Sequence, residues 1–184
     1  MNKFAIALTA VGLLAVTAGL RAQELPEFPK PQKEHEWLKQ LAGEWDTTAE
    51  MKMEGQPAMT CKGSESARML GGFWLVSEGK ANPMGMQMES LMTLGYDAKS
   101  KKYVGTWADS MNEHMWKYEG TLDPTGKILT LETEGPNFFA GGKMTKFKDI
   151  LEIKDKNHKA LSSQIQMEDG TWVTFMTGTY TRKK

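Results

Sequence analysis

From Glu44 to Thr181 the chain alternates apolar and polar residues in short runs, and turn-forming residues separate most of them. A period of two is the period of a β-strand with one dry face and one wet face. The first run sets Trp45, Thr47, Ala49, Met51 and Met53 against Glu44, Asp46, Thr48, Glu50 and Lys52. The second sets Met59, Cys61, Ala67 and Met69 against Lys62, Ser64, Ser66 and Arg68. Further runs cover Phe73 to Lys80, Met88 to Tyr96, Tyr103 to Asp109, His114 to Leu122 and Ile128 to Glu134, then Thr145 to Ile153, His158 to Met167 and Trp172 to Thr181. Gly71-Gly72, Asn82-Pro83, Asp123-Pro124-Thr125-Gly126, Gly141-Gly142, Asp155-Lys156-Asn157 and Asp169-Gly170 punctuate them. About ten strands joined by short turns predict an all-β, antiparallel, up-and-down fold. A sheet that large curls, and closure removes its unpaired edges, so one closed barrel is expected rather than a sandwich. Before the strands, Trp37, Leu38 and Leu41 have helical spacing, which predicts one short helix over Glu34 to Ala42, ended by Gly43.

The N-terminus follows a different logic. Lys3 precedes an uncharged apolar stretch from Phe4 to Leu20, and Ala22 offers a small residue for cleavage. Residues 1–22 therefore read as a secretory signal, giving an exported protein, periplasmic or secreted, with no stable membrane anchor after cleavage. A retained anchor is the alternative, but the apolar run is short for a span of about 20 residues. Residues 23–33 contain Pro26, Pro29 and Pro31 among charges and read as an extended linker. Residues 34–184 then form one domain, long enough to bury a core without staples.

Lysine plus arginine and aspartate plus glutamate number 23 each, so no global field draws the chain to nucleic acid or to an anionic membrane. Cys61 is the single cysteine, which excludes an internal disulfide and a cysteine metal cluster; it reads as a small buried hydrophobe.

Candidate site residues come from strand parity. His114, Trp116 and Tyr118 share one parity, opposite the polar Lys117, Glu119 and Thr121, so they are expected to point inward. Trp107, with Asp109 and Ser110, ends the preceding run, and strand ends are where barrels bind ligands. A cavity bounded by Trp107, His114, Trp116 and Tyr118 is expected, with Asp109 and Ser110 at its mouth and Met86 or Met88 at its rim. A barrel filled by the same aromatics, acting as a structural or interaction module, is the competing expectation. Glu65 and Asp149 are charges on otherwise apolar parities, either facing the interior or flipped outward by a bulge.

Other chemistries have weaker support. His114 with Asp109 or Glu65 could serve a weak hydrolase or isomerase, but no nucleophile elbow surrounds Ser110. Met84, Met86, Met88 and Met92 could form a thioether site for Cu(I), or be flexible apolar fillers. Haem would have to use His35, His114 or His158, and no attachment motif exists. No metal site is assigned, the cofactor is left unknown, and a small apolar molecule is the expected partner.

Several segments in order carry a family resemblance: His35-Glu36-Trp37-Leu38, Leu41-Ala42-Gly43-Glu44-Trp45, Leu70-Gly71-Gly72-Phe73-Trp74-Leu75, Met84-Gly85-Met86, Leu94-Gly95-Tyr96-Asp97, Tyr103 to Trp107 with Asp109-Ser110-Met111, and Tyr180-Thr181-Arg182-Lys183. Together they resemble the bacterial domain-of-unknown-function family numbered 1579. The resemblance implies a calycin-like barrel, similar to lipocalins and fatty-acid-binding proteins. It also implies that Trp45 lies across the closed end with a basic residue, Arg182, over it. Gln87-Met88-Glu89-Ser90 departs from the family's pattern after Met86. The family brings no catalytic residues to carry over.

Overall fold

The computed structural model describes residues 27–184 except 53, 54, 56, 138 and 139. The signal at 1–22, linker residues 23–26 and Met53 lie outside the described residues. The chain divides after Lys30; residues 27–30 carry neither helix nor strand, and the helix and all the strands belong to the unit Pro31–Lys184.

One helix, α1 (Lys33–Lys39), precedes ten strands: β1 (Gly43–Met51), β2 (Met59–Leu70), β3 (Trp74–Ala81), β4 (Met88–Asp97), β5 (Lys102–Asp109), β6 (Trp116–Leu122), β7 (Ile128–Asn137), β8 (Lys143–Asp155), β9 (His158–Gln166) and β10 (Trp172–Arg182). Each strand pairs antiparallel with its sequence neighbours, and β10 pairs with β1 to close the barrel. The expected all-β up-and-down barrel is what forms. Odd-numbered strands run away from the α1 end and even-numbered strands return to it. Among the described residues no helix is long and apolar enough to cross a membrane.

Helix α1 is shorter than its periodicity suggested. It ends at Lys39, and Gly43, the expected stop, instead opens β1 at φ +133°. Two local contacts set its start and position. The Gln32 amide donates to His35 Nδ1 at 2.9 Å, and Trp37 Nε1 donates to the Gly126 carbonyl at 2.7 Å. The ring of His35 is buried edge-on against Phe73 and Tyr96, so this histidine is a packing residue. Leu38 and Leu41 join Leu75, Leu94, Tyr103 and Leu129, all at most 3 % exposed, to floor the closed end. Burying each such side chain contributes about 1.5–3 kcal/mol.

Trp45 lies at the centre of that floor, 1 % exposed, with its indole N–H donating to the Leu41 carbonyl at 3.0 Å. Two cations face its ring: the Arg182 guanidinium at 4.1 Å and Lys159 Nζ at 4.5 Å. Arg182 also donates to the carbonyls of Lys156, Ala42 and Gln40 at 2.9, 2.7 and 3.2 Å. Gly43 must be glycine here twice over. Its φ is one that L side chains rarely adopt, and a Cβ would strike Arg182 Nη1.

One strand boundary moved and one strand is bulged, each for a local reason. His114 was expected inside a strand, but its N–H goes to Asn112 Oδ1 and β6 begins at Trp116. In β10 the register shifts between Thr174 and Met176, and the extra residue, Phe175, packs against Phe147.

Arg182 should therefore matter far more than an ordinary surface cation. Arg182→Ala is expected to cost about 2–4 kcal/mol by urea unfolding, from three charge-assisted bonds and one stacked cation. Lys102→Ala, which removes an exposed pair with Glu119, is expected to cost no more than about 1 kcal/mol.

Candidate functional site

Ten strands enclose more width than the eight that side chains just fill. What lines the interior then decides whether a lumen remains. The register places Thr47, Ala49, Cys61, Gly63, Ser77, Gly79, Ala81 and Ser90 on the inner face of β1–β4. These are small residues. The opposite wall, from β6 round to β10, carries Trp116, Phe147 and Phe175 in an edge-to-face series that begins at His114. Gly135 admits the benzo edge of Trp116, since a Cβ there would meet that ring. Large groups on one wall therefore face mostly small groups on the other, where Met88 and Met92 are the larger exceptions. The Glu65 side chain points inward toward the closed end, paired across from Trp45, yet 17 % of it is accessible.

A polar belt crosses this lumen. Tyr118 Oη donates to Asp149 Oδ2 and Ser163 Oγ to Asp149 Oδ1, both at 2.5 Å. Burial raises the Asp149 carboxyl above the usual carboxylate range, against the two hydroxyls that pull it down. Burial likewise raises the Tyr118 phenol, reinforced by the charge of Asp149. Nearer the floor, Lys159 donates to Glu65 Oε1 at 2.5 Å and lies over the rings of Trp45 and Tyr180. Burial lowers its ammonium pKa, and Glu65 opposes that shift. Among the described residues, two buried polar side-chain atoms have no partner: Trp116 Nε1 and Thr133 Oγ1. Both residues sit on inward parities of adjacent strands, β6 and β7.

The residues singled out from sequence are not one cluster. Trp116 and Tyr118 are inward and buried, and half-buried Trp107 faces in beside Trp116 and Met92. Glu65 faces in, as one of its two readings had it. Met88 is half-buried at the mouth, whereas Met84 and Met86 belong to the turn at Pro83–Gly85 and are 67 % and 47 % exposed. His114 stands in the rim loop, Nε2 3.3 Å from the Glu134 carbonyl. Asp109 accepts from the Met111 amide and from Asn112 Nδ2, while Ser110 Oγ accepts from the Glu89 amide. Asp109, Ser110 and His114 thus each bond elsewhere and make no triad with one another. His158 is exposed and pairs with Asp155. Among the described residues no group of three His, Cys, Asp or Glu is placed to hold a metal. Cys61 is half-buried on the lumen wall, not the core hydrophobe it was expected to be.

Lys159, Ser163 and Tyr180 were missed. Lys159 shares parity with Leu161, Ser163 and Ile165, which was the available signal, but its neighbours Lys156, Asn157 and His158 made it read as part of a wet turn. A wider concavity of about 1160 Å³ runs over the outer face between Trp74 and Trp172. Its Lys102 and Glu119 pair, as do Lys148 and Glu132, so it is a solvated face whose charges satisfy each other.

The Asp149 environment has a pH consequence. A raised carboxyl favours the protonated folded state, so its stabilising share is complete below about pH 4 and is lost as pH rises through the raised value. Asp123, held down to about 2 by Thr125 and the Ile128 amide, works in the opposite direction, so total stability is not diagnostic. The difference in melting temperature between the unmodified protein and Asp149→Asn should shift in favour of Asp149→Asn as pH rises from about 4 to 7.

Two solved structures share this architecture. The crystal structure of Rv2717c from M. tuberculosis superposes with a TM-score of 0.62 at 14% identity, covering 84% of this chain and 100% of the other. An S-type phycobiliprotein lyase, CPES from Guillardia theta, gives 0.55 at 12% identity, covering 84% and 99%. At such identities the likeness is one of fold, the calycin-like barrel. No curated protein matches the chain. The family described as "Protein of unknown function (DUF1579)" matches residues 30–182, the whole helix and barrel up to Arg182, and the chain belongs to that family.

Proposed function

We propose that this protein binds a small, mostly apolar ligand inside its barrel, with a polar belt fixing the ligand's orientation. The observation that carries this is the pair of orphaned polar atoms, Trp116 Nε1 and Thr133 Oγ1, in an interior where the inward Glu65 side chain is still 17 % accessible. A buried donor without a partner costs about 1–3 kcal/mol, so such groups are kept where a ligand or ordered water satisfies them. The aromatic wall supplies contact area and the small-residue wall supplies room. Trp107, Trp116, Tyr118 and Glu65 line the site, with Met88 and Asp109 toward its mouth; Ser110, His114 and Met86 belong to the rim above it. The fold shared with the phycobiliprotein lyase is compatible with this role but does not carry it. Export is part of the same proposal, supported by the charge and apolar pattern of residues 1–22.

Cys61 provides a native reporter. Its thiol should react with a small maleimide in the folded protein, and uptake of the neutral fluorophore N-phenyl-1-naphthylamine should slow that reaction about tenfold or more, because occupied sites exclude the reagent. Ala49→Trp, beside Cys61 on the inner face, should abolish fluorophore uptake while the far-UV spectrum is unchanged. Trp116→Ala should weaken uptake with the fold retained. If instead Cys61 is inert, no fluorophore enters, and Trp116→Ala costs about 3–5 kcal/mol, the barrel is filled and its function lies on its loops.

A further inference from the structure

Among the described residues, three charged groups toward the deep end of the barrel are already paired or capped, and a fourth, Asp149, has no counter-ion. Arg182 commits its guanidinium to three backbone carbonyls and the Trp45 ring. Lys159 directs its ammonium to Glu65, the Leu41 carbonyl at 3.5 Å and two aromatic faces. Glu65 is thereby neutralised. Asp149 has two hydroxyl donors but forms no ion pair. Facing it are Tyr118 from β6, Ser163 from β9 and Tyr180 from β10, none of them a cation. Glu65 and Lys159 lie deeper as a closed pair, and toward the mouth stand Asp109 and the His114 imidazole. Once ionised, Asp149 is therefore a carboxylate without a counter-ion inside the barrel, and it adjoins the aromatic wall of Trp116 and Phe147.

We propose that the lumen ligand is an organic cation, an amine with an apolar body, whose ammonium pairs with Asp149 while its body packs on Trp116 and Phe147. This assignment rests on ligand binding in the lumen and specifies the head group. An ammonium has three donors, and the second lone pairs on the Asp149 oxygens and the free Thr133 Oγ1 are acceptors of matching kind. Aromatic faces attract cations, and a buried carboxylate is relieved by a counter-ion. Carboxylate ligands gain nothing equivalent, because the one lysine that could receive them is already paired.

The test displaces N-phenyl-1-naphthylamine from the full-length mature protein with octylamine, octanol or octanoate. Octylamine is expected to compete about tenfold more strongly than octanol, and octanoate more weakly than either, as one charge-assisted bond implies. Asp149→Asn should bring octylamine down to the level of octanol, each competitor being compared against the fluorophore affinity measured for the variant itself. The octylamine advantage should grow as pH rises through and above the ordinary carboxylate range, as Asp149 ionises while the amine stays charged. Octanoate equalling or exceeding octylamine would overturn the proposal; loss of that octanoate binding in Lys159→Met would then place the head group at the Glu65–Lys159 pair. An amine preference untouched by Asp149→Asn overturns it as well. Failure of the fluorophore to enter, together with an inert Cys61, removes lumen binding and the cation with it, and so is told apart from failure of the head-group assignment alone.

Discussion

Trp45 carries two cations over its ring, Arg182 and Lys159, and the rest of the barrel is arranged around that cluster. Arg182 sits opposite Trp45 in the β1–β10 pairing that closes the sheet, so the cation that caps the indole also locks the seam. The same guanidinium binds the carbonyls of Gln40 and Ala42, which fixes the segment leaving α1 and seats Leu38 and Leu41 on the floor. Lys159, the second cation over the ring, reaches Glu65 and Tyr180, the first polar groups of the lumen. One aromatic ring thus joins the closure of the barrel, the docking of the helix and the charge state of the cavity's deep end.

Above that floor, the barrel divides its labour between two walls. Glycine, alanine, serine, threonine and cysteine make up most of the inner face of β1–β4, beside Met88 and Met92, while the heavy aromatics Trp107, Trp116, Phe147 and Phe175 stand on β5–β10. If both walls had been aromatic, the interior would pack solid; with both small, the barrel would lose its buried area and its stability. Polar groups occupy the middle level of this asymmetric space. They are tolerated there because hydroxyls reach Asp149 and an ammonium reaches Glu65.

The fold was legible because alternation and turn chemistry are local properties. Every strand appeared within a few residues of its expected limits, and the Asp123 to Gly126 turn carries the hydrogen bonds its residues suggested. The site was less legible because its key contacts join residues far apart in sequence. Glu65 and Lys159 are 94 positions apart, and neither announces the other. The assumption that charges face water also fails where a partner waits inside; it concealed Lys159 and left Glu65 and Asp149 ambiguous. His114 misled in the opposite way. Its parity matched that of Trp116 and Tyr118, but the side chains of Asp109 and Asn112 hold the preceding loop and keep it out of the strand.

The pairing of Trp45 with Arg182 sets a schedule as well as a shape. It joins the first strand to the tenth, so loop-closure entropy is greatest for that seam, and the barrel cannot close before β10 has been made. Until β10 has been made, any sheet the earlier strands form keeps two free edges and lacks the Arg182 cap on its floor. A chain with that order of assembly stays threadable until its final strand arrives, which suits the export proposed for this protein.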